Sequence, residues 1–141
     1  MRVVAIYKLD CVSKFRFPLY TCPISAGSPS FGDDHVADYL SIQDLIEHPE
    51  DSFLLRVAGD SMIGANIHSG NLLLVDGAVE PKDGDIVVAA IDSELTVKRL
   101  KSGKTGTVLL ADNPNYKPLF ISKDADFHVW GVVKKVLQDV N

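Results

Sequence analysis

Cysteine is scarce in this chain. There are two, Cys11 and Cys22, both near the front. A secreted disulfide framework needs more, so free thiols are expected. The four histidines, His35, His48, His68 and His128, are scattered, and no Cys/His spacing matches a zinc site. Neither a metal nor a cofactor is expected. No stretch approaches the roughly 18 continuous apolar residues of a membrane span. The opening MRVVAIYKLDCVSKFRF is interrupted by Lys8, Asp10 and Lys14 and lacks a signal-peptide core and cleavage site. A cytoplasmic protein without membrane association is therefore expected.

Basic charge is also short. The formal net charge is −5, and it is unevenly spread. Residues 1–26 carry Arg2, Lys8, Lys14 and Arg16 against Asp10, whereas the remainder holds 10 basic and 18 acidic residues. An acidic body argues against direct DNA binding, which needs a basic face to neutralise phosphates.

What is present fits one domain. At 141 residues the chain can bury a real core. Residues 1–35 lack a clear helical or strand period and hold Pro18, Pro23 and Pro29, which reads as an extended arm. A short helix is expected near residues 41–48. Ser41 would be its N-cap with Asp44 in a capping-box position, Leu45 and Ile46 would face the core, and Pro49 would end it. Strand signals then dominate at 52–58, 71–76, 85–92, 94–100, 107–111, 119–122 and 127–138, separated by turn clusters. Asp92-Ser93 reads as a tight hairpin. The expected fold is mostly β: an arm and cleavage region over 1–40, then a compact β domain over 41–141.

One polar stretch interrupts the apolar runs. VAGDSM (57–62) lies between two core strands. A serine beside a glycine is usually a turn or cap residue, and GDSM is not a G-x-S-x-G elbow. A serine nucleophile needs a base. His68 reads as a solvated loop residue. Lys98, in LTVKRL, alternates with Leu95 and Val97, which share the opposite face with each other. It is either a solvated lysine or a desolvated one, and a neutral amine would serve as general base to a serine. Spacing alone does not choose between these.

The run VAGDSMIGANIHSGNLLLVDGAVEPKDGDIVVAAIDSELTVKRL resembles the catalytic core of the LexA/UmuD family of self-cleaving SOS-response proteins. The GDSM serine, the GNLLLVD and GDIVVA strands, TVK with its lysine 37 residues after the serine, NPNY (113–116) and FHVWGVV (127–133) follow in the family's order. The resemblance implies a LexA-like, signal-peptidase-like β fold. It also implies Ser61 as nucleophile, Lys98 as general base, and the backbone N–H groups of Ser61 and Met62 at the oxyanion. Ala26–Gly27 is the implied scissile bond. The short arm and Ala26-Gly27-Ser28-Pro29-Ser30 resemble the UmuD branch, which lacks the helix-turn-helix of the repressors. Two positions depart from the pattern: Asn71 is usually acidic, and Ala26 is the LexA-like residue where UmuD has Cys.

That branch implies a homodimer, a RecA–single-stranded DNA filament as activator, and a UmuC-like Y-family polymerase subunit as partner. A sliding clamp is a further implied partner. Two other classes stay open: a dimeric interaction module with an inert Ser-Lys pair, and a type I signal peptidase relative, which would need a membrane anchor. A repressor fragment is disfavoured by an arm that is not helix-turn-helix.

Overall fold

The computed structural model describes residues 1–9, 16–20 and 36–140. Cys11, Cys22, His35 and the expected scissile pair Ala26–Gly27 lie outside them. Ten strands follow in order: β1 (Arg2–Lys8), β2 (Arg16–Tyr20), β3 (Val36–Ser41), β4 (Ser52–Ala58), β5 (Leu72–Asp76), β6 (Ile86–Ile91), β7 (Glu94–Gly103), β8 (Gly106–Leu110), β9 (Leu119–Ile121) and β10 (Phe127–Leu137). The last seven match the seven runs expected from the sequence, with β7 reaching three residues further. The fold is mostly β, as expected.

The strands close on themselves. The sheet runs β1-β4-β5-β10-β6-β7, and β7 meets β1 again at Arg2–Thr96. Closure removes the open edges that a flat sheet would leave. The apolar side chains divide between two clusters. One holds Met1, Leu55, Val57, Met62, Ile67, Leu73, Val75, Val88 and Val97. The other holds Val87, Ala89, Leu100, Leu109 and Val132. Neighbours Val87 and Val88 point to different clusters, so β6 is buried on both faces. That is why its sequence is a continuous apolar run rather than an alternation. Each such side chain contributes roughly 1.5–3 kcal/mol by leaving water. β6 turns into β7 through Asp92 and Ser93, with φ of 48° and 71°. Two successive left-handed residues give the turn whose twist matches the flanking strands. β8 and β9 extend from β7, while β2 and β3 pair as a separate two-stranded ribbon.

Two expectations are corrected. Residues 1–35 were expected to lack strands, yet 2–8 form β1 and 16–20 form β2. Their partners lie far along the chain, so no local period announces them. The helix expected over 41–48 is only a 3-10 turn, Ile42–Leu45. Ser41 caps it, and Asp44 completes the capping box. Leu45 does not face the core but is exposed, and Ile46 is half-buried. A 3-10 turn has too few residues to present an apolar stripe, and Pro49 opens a second such turn, Pro49–Asp51.

The segment crossing to β4 is pinned by an ion pair. Asp76, buried at the end of β5, accepts from the Ala78 N–H at 2.8 Å and pairs with His48 Nδ1 at 2.6 Å. The Asp76 hydrogen bond raises the His48 pKa above its ordinary 6.5. Burial opposes the charged Asp76, but the bonds from His48 and Ala78 outweigh it and hold Asp76 below 3.8. The His48 contribution to stability is therefore complete below pH 6.5 and is lost as pH rises through its raised pKa. That of Asp76 is complete above 3.8 and is lost as pH falls through its depressed pKa. Thermal unfolding of the wild type against His48→Gln should show the largest difference between these limits and a shrinking one toward pH 9. A difference constant from pH 5 to 9 would remove the ion pair from the account.

Candidate active site

The polar interruption after β4 is a tight, tethered loop. Gly59 turns the chain at φ 108°, a conformation side-chain-bearing residues rarely adopt. Its N–H donates to Ser69 Oγ at 3.3 Å. Ser61 and Met62 follow, both 0% exposed, and Met62 enters the core. A 3-10 turn, Ile63–Ala65, ends at Asn66 in the left-handed region with φ 60°. The Gly64 N–H donates to the Asp112 carbonyl at 2.8 Å.

The loop is held from the far side of the sequence. Buried Asn113 donates from Nδ2 to the Asp60 carbonyl at 2.9 Å, and its Oδ1 accepts from the Asn115 N–H at 3.0 Å. The Tyr116 hydroxyl donates to Asp60 Oδ1. Asp112 is gripped by the Arg99 fork, with Nε at 3.0 Å and Nη2 at 2.6 Å. The Arg99 hydrogen bond holds the Asp112 carboxyl below its usual range, and Asp112 in turn raises Arg99. Charge-assisted, two-point pairing of this kind fixes orientation as well as position. These residues are the anchor of the loop.

Lys98 stands on β7 opposite Val87, half-buried, with Nζ 5.1 Å from the Tyr116 ring centroid. The expected alternation holds: Val97 is in the core and Leu95 packs against it. His68 is exposed and its Nε2 is 3.0 Å from Asn66 Oδ1, as a solvated loop histidine would be. Asn71 Oδ1 accepts from the His68 N–H at 2.8 Å, a bond a carboxylate oxygen would also make. The departure at that position therefore leaves the turn intact.

Ser61 and Lys98 both neighbour Met1. The Met1 nitrogen donates to Ser61 Oγ at 2.5 Å. Burial pushes this amine down to about 5, helped by the charge and hydrogen bond of Lys98 and opposed by Asp60. The Met1 carbonyl accepts from the Val97 N–H at 3.1 Å and Thr96 Oγ1 at 2.9 Å. The Met1 side chain is buried with Leu55, Val57 and Val97. Among the described residues, the N–H groups of Ser61 and Met62 donate to no protein acceptor.

Residues 18–134 match the family model described as Peptidase S24-like. The chain belongs to the Peptidase S24-like family. It is 36% identical over 110 residues to the LexA repressor of Paraburkholderia xenovorans (strain LB400), covering 77% of this chain and 51% of the repressor. The LexA repressors of Burkholderia mallei (strain NCTC 10229) and Burkholderia pseudomallei (strain 668) match at the same identity and over the same shares. This S24-like chain thus spans about half the length of the curated relatives it matches.

The sequence singled out NPNY as part of a pattern without a task for its members. In this S24-like fold Asn113 and Tyr116 hold Asp60, the residue next to the serine. Arg99 and Asp112 were not singled out at all. An Asn-Pro pair at a strand end is a turn signal, but which loop it grips depends on a partner about fifty residues away.

Proposed function

We propose that this S24-like protein is a self-cleaving serine peptidase with Ser61 as nucleophile and Lys98 as general base, cutting its own Ala26–Gly27 bond. The observation that carries the reading is the Met1 nitrogen. That nitrogen lies 2.5 Å from the serine oxygen, and Lys98 lines the same groove as Met1, where the nitrogen of a scissile peptide would sit. The mechanism follows from those positions. The Lys98 amine takes the Ser61 hydroxyl proton, and Oγ adds to the Ala26 carbonyl. The N–H groups of Ser61 and Met62, which among the described residues donate to no protein acceptor, serve the developing oxyanion. Lys98 returns its proton to the Gly27 nitrogen as the C–N bond breaks. Water then hydrolyses the acyl-serine, its proton passing through Lys98 back to Ser61.

The physiological reading is UmuD-like. A RecA filament on single-stranded DNA raises the population of the cleavable pose. Cleavage removes the basic residues Arg2, Lys8, Lys14 and Arg16 and leaves the acidic body. The truncated homodimer joins a UmuC-like Y-family polymerase for translesion synthesis, and a sliding clamp is a further partner. A second reading, the self-cleaving half of a LexA-like repressor, is favoured by the 36% identity to repressors. Capture of a polymerase subunit by the 27–141 fragment supports the first; operator release on cleavage supports the second.

The deciding experiment is incubation with RecA, single-stranded DNA and a nucleotide analogue, followed by N-terminal sequencing. A new N-terminus at Gly27 is expected, and prolonged alkaline incubation alone should yield the same fragment. Neither should occur in Ser61→Ala or Lys98→Ala. If the fragment persists in those variants, the peptidase reading is wrong.

A further inference from the structure

The barrel is closed by a strand that can be lifted out. β1 pairs along its length with β4 but is in register with β7 only at Arg2–Thr96. Without it, the outer edge of β4 and the start of β7 would flank an open groove. Ser61 follows directly from β4, and Lys98 lies on β7. An extended peptide adding to that edge is a recurrent way for proteins to bind chains, with main-chain hydrogen bonds supplying affinity.

β1 lies in this groove as a peptide would. It runs antiparallel to β4, with residue 1 at the nucleophile and Lys8 beside Phe53. The residues after a scissile bond would run in that same direction, with their first nitrogen at Ser61 and Lys98. The Met1 carbonyl, caught by the Val97 N–H and Thr96 Oγ1, supplies the next main-chain contact.

The hold beyond residue 3 is weak. Val4, Ile6 and Tyr7 are 49%, 48% and 47% exposed, so about half of each apolar side chain gains nothing from docking. A register shift between Val3 and Ala5 breaks the ladder. Few buried contacts and an interrupted ladder mark an element that opens locally without global unfolding.

We propose that β1 is an intramolecular occupant of the peptide groove. Residues 2–8 compete with the cleavage segment for the β4 edge, and cutting waits on their release. This rests on the peptidase reading. The groove is filled, so the cleavage segment binds only in the fraction of molecules in which β1 is out. Apparent affinity falls by that fraction.

Tyr7 lies directly opposite Leu54. Cross-strand neighbours stand within reach of a disulfide. The test is Tyr7→Cys/Leu54→Cys, with Cys11→Ser and Cys22→Ser to prevent mispairing, compared oxidised and reduced. In a Ser61→Ala background, binding of a fluorescein-labelled peptide of residues 22–31 (Cys22→Ser) is measured by anisotropy. With Ser61 intact, alkaline self-cleavage is followed by mass spectrometry. The reduced form should bind at least about tenfold more tightly than the oxidised form and cleave at least about tenfold faster, and adding reductant to the oxidised form should restore both. Equal binding in the two states, or none in either, overturns the proposal. If the peptide is excluded by oxidation as expected yet neither state yields a new N-terminus at Gly27, the occupied groove stands and the peptidase reading falls.

Discussion

Ser61→Ala and Lys98→Ala should each reduce self-cleavage by on the order of 10⁴-fold or more, and the double variant should be no slower than either alone. Groups that act as one catalytic unit are not additive, because losing the base leaves the nucleophile idle and the reverse. Two residues that matter only for folding would behave differently, since their losses would add unless they touch. Here Ser61 bonds the Met1 nitrogen and Lys98 lines the same groove, so stability alone could show coupling. Rate and thermal unfolding are therefore read together. The expected result is a collapsed rate with a modest change in melting temperature. Additive rate losses, or losses that track melting temperature, would return Ser61 to the ordinary role of a buried turn serine.

Gly64→Ala should slow cleavage by about 100-fold while destabilising the fold by about 1–3 kcal/mol. Intrinsic propensity points the other way, since Ala outranks Gly in helical turns. Sterics decide the sign. A Cβ on Gly64 would stand 2.6 Å from the Asp112 carbonyl oxygen and 3.3 Å from its carbonyl carbon. Neither side yields easily. Asp112 is held by the Arg99 fork, and the Gly64 N–H is bonded to that same oxygen. The loop must move, and Ser61 lies three residues away. A displacement near 1 Å at a nucleophile costs about two orders of magnitude in rate. Gly103→Ala is the control, because a Cβ there meets nothing within 4 Å. It should leave the rate unchanged. Should Gly64→Ala also do so, Asp112 does not position the serine.

The seven strands from 52 onward were legible because each is an apolar or alternating run bounded by turn residues. The chain's own punctuation carries that information. β1 was not legible, because Arg2, Lys8 and a register shift blur its period and its partners start fifty residues later. The Ser41 cap was legible, being local chemistry. The exposure of Leu45 was not, since facing the core required a helix long enough to have a face. Ser61 and Lys98 were named by resemblance, and the interval between them carries no geometry. That both lie beside Met1 follows from barrel closure, which no window of sequence contains. Asn113, Tyr116, Arg99 and Asp112 escaped for a similar reason: a hydrogen bond across the fold leaves no trace in composition.

The closing strand also sets an order of events. Residues 2–8 are synthesised before their partners, which are Phe53–Ala58 and, at the seam, Thr96. The barrel ring therefore cannot close until β10, which joins β5 to β6, has been made. Pairings this distant in sequence are entropically late in folding as well. β1 can pair with β4 as soon as Ala58 has been made, but the seam at Thr96 waits for the rest of the ring.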